Sequence, residues 1–92
     1  VRKVFGNKAE EALAIIQCEN STMAMDRVNY NRNGSFDFGP FQINSLWIRV
    51  FGPEFKMNWK ANIETAKKIF DRNGDWRHWS ASNNCHGLIA HK

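Results

Sequence analysis

Asn29-Tyr30-Asn31-Arg32-Asn33-Gly34-Ser35-Phe36-Asp37-Phe38-Gly39-Pro40-Phe41-Gln42-Ile43-Asn44-Ser45 is the most informative stretch of this 92-residue chain. Two short runs, Val28-Asn29-Tyr30 and Ser35-Phe36-Asp37-Phe38, flank Asn31-Arg32-Asn33-Gly34. Asn-Gly favours positive backbone φ, so the pattern predicts a tight β-hairpin. Gly39-Pro40 ends the second strand and starts another element, because proline is at home in a first helical turn. An apolar segment over residues 41–51 follows and stops at Gly52-Pro53. Asp37 stands between two phenylalanines on an alternating strand, so its side chain points away from both rings and shares a face with Ser35.

Outward from the hairpin the chain reads as helix. Asn7 followed by Glu10 is a capping signature, and Ala9, Ala12, Leu13 and Ile16 recur at helical spacing with Ile15 widening the stripe. The pattern fades at Glu19-Asn20-Ser21. A second helix is predicted from about residue 58 to 72, with Ile63, Ala66, Ile69 and Phe70 inward and Gly74 as its stop. Asp75 can cap a short helix that places Trp76 and Trp79 on one face. The expected architecture is mainly α (α+β), one domain over residues 1–92, helical with one small β-hairpin. No pattern is legible after Cys85.

Composition excludes several classes. With 42% hydrophobic and 24% charged residues the chain is neither disordered, collagen-like nor a disulfide-dense scaffold. A domain this small buries only about 60–65% of its unfolded surface. No run approaches ~18 apolar residues, so no membrane span is expected. Net charge is +4 and the pI is about 9.4, which suits a polyanion: nucleic acid, an acidic membrane or an anionic cell wall. The basic residues are scattered, which argues for a general field rather than a phosphate clamp. Cys18 and Cys85 form no C-x-x-C motif. Paired, they would close a loop of about 67 residues, worth about 4 kcal/mol in the chain-entropy estimate, and would imply an oxidising compartment. The alternative is two buried free thiols. The sequence opens at Val1 without a charged-then-apolar leader, so the expectation is a signal peptide absent or already removed.

The residues that point to chemistry are Glu19 and Asp37. Glu19 falls at the C-terminal end of an amphipathic helix, where the helix dipole disfavours a carboxylate and apolar neighbours add desolvation. Asp37 sits in a polar setting and stays ionised. Two acids pushed apart in this way suit glycosidic cleavage: one protonates the leaving oxygen, the other meets the developing oxocarbenium charge. The bland alternative is a solvated helix-end glutamate and an ordinary hairpin aspartate.

Glu19-Asn20-Ser21 together with the block from Asn29 to Ser45 resembles the signature of the lysozyme-like superfamily, both c-type lysozymes and small specialised lytic transglycosylases. The likeness spans roughly residues 15–47 and continues more loosely through Asn62-Ile63 and Ala66. It implies that Glu19 is the general acid and Asp37 the second carboxylate, and that Gln42 and Asn44 help shape a sugar cleft. Trp76-x-x-Trp79 is similar to the paired tryptophans that keep the acid dry in c-type lysozymes. The stretch from Trp79 to Asn84 resembles the W-x-A-Y-N segment of transglycosylases, with Ser82 where those enzymes carry a tyrosine. A bridge from Cys18 to Cys85 would tie the acid's helix to the segment after Trp79.

Other residues carry weaker signals. Of Trp47, Trp59, Trp76 and Trp79, the last two are the first candidates for stacking on a sugar, the rest reading as packing. Ser35 and Tyr30 are candidates for hydrogen-bonding sugar hydroxyls, though a cross-strand aromatic pair is the ordinary reading of Tyr30. Cys85-His86 with His78 nearby lacks metal-ligand spacing, so neither metal nor cofactor is expected. No nucleophile elbow supports a Ser-His-Asp site. The resulting expectation is a muramidase cutting the β-1,4 bond between N-acetylmuramic acid and N-acetylglucosamine. It would act outside the cytoplasm (secreted, periplasmic or wall-associated), as a monomer or part of a longer chain. The alternatives are a lytic transglycosylase giving a 1,6-anhydro product with Glu19 as sole acid and base, and a non-catalytic peptidoglycan-binding module. A basic nucleic-acid binder would need clustered charge, so no nucleic-acid partner is expected.

Overall fold

The computed structural model describes residues 1–89. A short helix α1 (Arg2–Phe5) runs through a 3-10 turn (Gly6–Lys8) into α2 (Ala9–Glu19). The capping box expected from Asn7 and Glu10 does not form: Lys8 occupies the N-cap and no side chain caps α2. The preceding turn makes one unnecessary, since the Ala9 N–H is already bonded to the Gly6 carbonyl. Ala9, Ala12, Ile15 and Ile16 are buried, and Leu13 is half-buried at the edge of the stripe. α2 stops after Glu19 because Asn20 is extended (φ −158°, ψ 81°) and turns its amide to the Ala24 and Gly39 carbonyls at 2.8 and 3.2 Å.

The hairpin forms as expected, from β1 (Val28–Tyr30) and β2 (Phe36–Phe38), with Gly34 at φ 86° in the turn. A third strand, β3 (Ile43–Asn44), extends the hairpin to an antiparallel sheet ordered β1-β2-β3. Its cause is a second tight turn, in which the Gln42 N–H donates to the Gly39 carbonyl at 2.9 Å. Gln42 takes φ 48° there, a left-handed conformation for which a non-glycine residue gives no obvious sequence signal. β3 pairs Asn44 opposite Asp37. Gly39, at φ 72°, could carry no side chain: an added Cβ would lie 2.7 Å from the Asn62 amide nitrogen and 2.7 Å from the Met25 methyl carbon.

After a 3-10 turn (Ser45–Trp47), α3 (Ile48–Phe51) and a second 3-10 turn (Glu54–Lys56), the chain enters α4 (Trp59–Asn73). Asn58 caps α4 by accepting from the Ala61 N–H at 2.8 Å, and Gly74 closes it in the left-handed conformation. Ile63, Ala66 and Ile69 face the core, where they join Phe5, Phe41, Ile43, Phe55, Trp76, Trp79 and the inner stripe of α2. Asn62, completely buried on the same helix, accepts from the Phe41 N–H and donates to the Phe38 and Phe55 carbonyls. One side chain thus pins the sheet to the helical body. A 3-10 segment (Arg77–Ser82) and α5 (Asn83–His86) complete the described chain. Cys18 and Cys85 are bonded, with S–S 2.04 Å, fastening α5 to the last turn of α2.

Candidate active site

A cleft of about 340 Å3 opens between the helical body and the sheet. Glu19 and Trp79 stand on its helical side; Ser35, Asp37, Gln42 and Asn44 stand on its sheet side. Two carboxylates placed by different elements therefore share one groove.

Glu19 is supplied by the end of α2, where the chain must leave the helix at Asn20. Burial pushes its carboxyl above the ordinary value. The Ser82 hydroxyl, donating to Oε1 at 2.6 Å, opposes that rise; the charge of Asp37 adds to it, and His86 and Arg27 hold it back. The net direction is upward, which favours a proton on Glu19. Ser82 is delivered by the 3-10 segment after Trp79, and the Cys18–Cys85 bond holds the two segments together beside it.

Asp37 is held differently. Asn44, its cross-strand neighbour, donates to Oδ1 at 3.0 Å and also to the Ser35 hydroxyl at 3.0 Å. Ser35 in turn donates to Asn33 Oδ1 at 2.6 Å, and Asn31 donates to Ser35 at 3.1 Å. The hairpin face is a chain of small amides and hydroxyls, with Asp37 as its one formal charge. Gln42 lines the cleft but spends its amide inside the fold, donating to the Gly39 and Arg27 carbonyls and accepting from Asn29. It shapes the wall rather than offering a free donor.

The two tryptophans part company. Trp79, only 2% exposed, lines the cleft and is anchored by its indole N–H on the Phe41 carbonyl at 2.7 Å. Trp76, expected beside it, lies in the core between Phe5 and Phe70 with its indole N–H on Glu11. The rings meet edge to face at 5.5 Å within one core cluster, and of the two only Trp79 also lines the cleft. Tyr30 is 79% exposed and not among the residues lining the cleft; it packs edge-on against Phe36 at 5.0 Å, the cross-strand pair its position suggested. Trp59 is exposed with its indole N–H on the Met23 carbonyl, and Trp47 stacks on Phe51.

The cleft also recruits His78, Asn31, Asn33 and Ala81. The asparagines had read as turn residues and His78 only as a weak metal candidate. The Trp47 indole N–H donates to His78 Nδ1 at 3.1 Å, so the neutral ring carries its proton on Nε2. Burial lowers the His78 value, against the pull of Asp37, and so favours that neutral form. Nε2 has no partner among the described residues and is solvent-accessible, a donor available at the groove. Cys85 is committed to its disulfide and is no thiolate ligand. No sequence period pointed to Ser82 or His78, because their roles depend on how the segment after α4 docks.

No helix among the described residues is long and apolar enough to cross a membrane. No curated protein matches the chain. Residues 4–81 match the family described as a lysozyme-like domain, which covers α1 through most of the Trp79 segment and includes both carboxylates. The small sheet packed on helices, the cleft between them and this match together make the chain a member of the lysozyme-like domain family.

Proposed function

We propose that the protein is a peptidoglycan-cleaving muramidase, with Glu19 as general acid and Asp37 as second carboxylate. The observation that carries the reading is the shared cleft, in which burial favours protonation of Glu19 while Asp37 stands among amide and hydroxyl groups. The bond cut is the β-1,4 link between N-acetylmuramic acid and N-acetylglucosamine. Glu19 gives its proton to the bridging oxygen as the C1–O bond breaks, and the electron pair leaves with that oxygen. Asp37 meets the positive charge at C1. The Glu19 carboxylate left behind accepts the Ser82 hydroxyl proton donor on Oε1, then takes a proton from the water that attacks C1. Asn44, Ser35 and Trp79 form the wall of the cleft beside the carboxylates, and the net charge of +4 favours an anionic wall polymer. Peptidoglycan as substrate and the disulfide both fit a place of action outside the cytoplasm.

A second reading rests on the Asn44–Asp37 bond, which fits Asp37 equally well for bracing the sheet. Glu19 would then act alone, first as acid and then as base on the sugar's own 6-hydroxyl, leaving a 1,6-anhydro end. Chromatography of digested, purified peptidoglycan separates the two. Reducing-end muropeptides are expected; anhydro ends as the sole product would replace hydrolysis with transglycosylation. Undigested peptidoglycan that nevertheless retains the protein would leave only a binding module.

A further inference from the structure

Lysines dispersed in the sequence converge on a surface that shares no residue with the cleft. Lys3 and Val4 of α1, with Lys60, Glu64, Lys67 and Lys68 of α4, line a groove of about 720 Å3. Through Lys60, Glu64 and Lys68 it runs on into a second depression of about 360 Å3. The α1–α4 packing that builds the core is therefore also what brings Lys3 beside the α4 lysines.

The charges along this trough are unevenly satisfied. Lys67 Nζ is held by both Asp71 oxygens at 2.6 and 2.7 Å, and Lys68 Nζ stands over the Phe51 ring at 5.8 Å. Lys3 and Lys60 form no ion pair among the described residues. With Lys67 taken up by Asp71, the ammonium groups of Lys3, Lys60 and Lys68 remain against a single lining acid, Glu64, in the larger groove. From Lys60 to Lys67 the helix makes two turns, about 10.5 Å along its axis, so the cations form a row rather than a cluster. Lysines are flexible point charges without a guanidinium's fixed fork, and suit a repeating anion more than one oriented phosphate. No aromatic ring lines the larger groove to stack a base, and its one apolar side chain, Val4, is half-buried rather than poised to insert into lipid.

We infer that this trough binds a linear polyol-phosphate polymer, the phosphodiester-linked anion attached to peptidoglycan in many walls, at the same time as the cleft engages the glycan. The choice of polymer rests on the wall-acting function proposed above. Holding a chain tethered to the substrate raises the local concentration of scissile bonds at the cleft without altering the chemistry there.

Calorimetry of soluble poly(glycerol phosphate) with the Glu19→Gln chain, and with that chain carrying Lys3→Glu and Lys60→Glu, tests the inference. The charge reversals are expected to weaken binding at least tenfold and to flatten its salt dependence. In the active chain the same pair should slow lysis of polymer-bearing walls several-fold more than it slows lysis of polymer-stripped walls, whose carboxylates feel only the change in overall charge. Equal polymer binding with and without the reversals overturns the inference. So does tighter binding of an acidic phospholipid vesicle or a mixed-sequence oligonucleotide than of the polymer. Because the binding arm needs no turnover, failure of the muramidase reading and failure of the groove register in different measurements.

Discussion

The two carboxylates of the cleft are held by opposite means. Glu19 is half-enclosed at a helix end, with one hydroxyl donor and a covalent tie behind it. Asp37 lies on a strand of a small sheet, braced by an amide that is itself shared with Ser35. On the helix side burial favours a proton on Glu19; on the sheet side small amides and hydroxyls surround the Asp37 carboxyl. In the proposed reaction the same side-chain chemistry would be divided between two tasks by what encloses it.

Replacing Glu19 breaks the contrast most completely. Glu19→Gln is expected to lower the rate of peptidoglycan cleavage by about 10³-fold, the scale of a lost general acid, in a turbidity assay on purified walls. The same variant should melt higher than the parent near neutral pH. A carboxyl whose folded value lies above its unfolded one supports the fold fully below the unfolded value and loses that support as pH rises through the folded value. The advantage of glutamine should therefore disappear in acid, where Glu19 is protonated in the folded and the unfolded chain alike; thermal melts at the two extremes of pH check the sign. Asp37→Asn comes next, with an expected loss of about 10²-fold, comparable to removal of one electrostatic stabiliser. Undiminished activity in Asp37→Asn would turn the contrast into a one-carboxylate site.

Cys18→Ser with Cys85→Ser removes about 4 kcal/mol and should lower Tm by about 15–30 °C, read by circular dichroism. Smaller still is Ser82→Ala. Its hydroxyl opposes the rise of the Glu19 value, so its loss should move the alkaline limb of the pH–activity profile further up, with a modest change in rate. A downward displacement of that limb would remove Ser82 from the site. Tyr30→Ala should leave cleavage unchanged and reduce stability by about 0.5–1 kcal/mol, through loss of the edge-on Phe36 contact.

The sequence made the acids legible because both lie where local rules speak: Glu19 at the fading end of a helical stripe, Asp37 on an alternating strand beside Asn33-Gly34. The hairpin, α4 and its Gly74 stop were legible for the same reason. β3 was hidden, being two residues long and set by a turn whose left-handed residue is Gln42. Trp76 and Trp79 were legible as neighbours but not in their division: both rings join the core, and only Trp79 also lines the cleft. Ser82 was marked only by the resemblance, at the place of a tyrosine; its bond to Glu19 escaped, since a donor to a distant carboxylate leaves no period in the chain. The convergence of Lys3 with Lys60, Lys67 and Lys68 was invisible for a related reason: charges scattered in sequence become a row only when α1 lies against α4.

Asn62 has a mechanical consequence. Prising the sheet away from α4 would break the bonds Asn62 makes to the Phe41 N–H and the Phe38 carbonyl together, at about 1–3 kcal/mol each. These bonds brace the sheet side of the groove against its helical side. In the proposed reaction a glycan strand laid in along an open side would meet braced walls, and distortion would fall more to the sugar than to the protein.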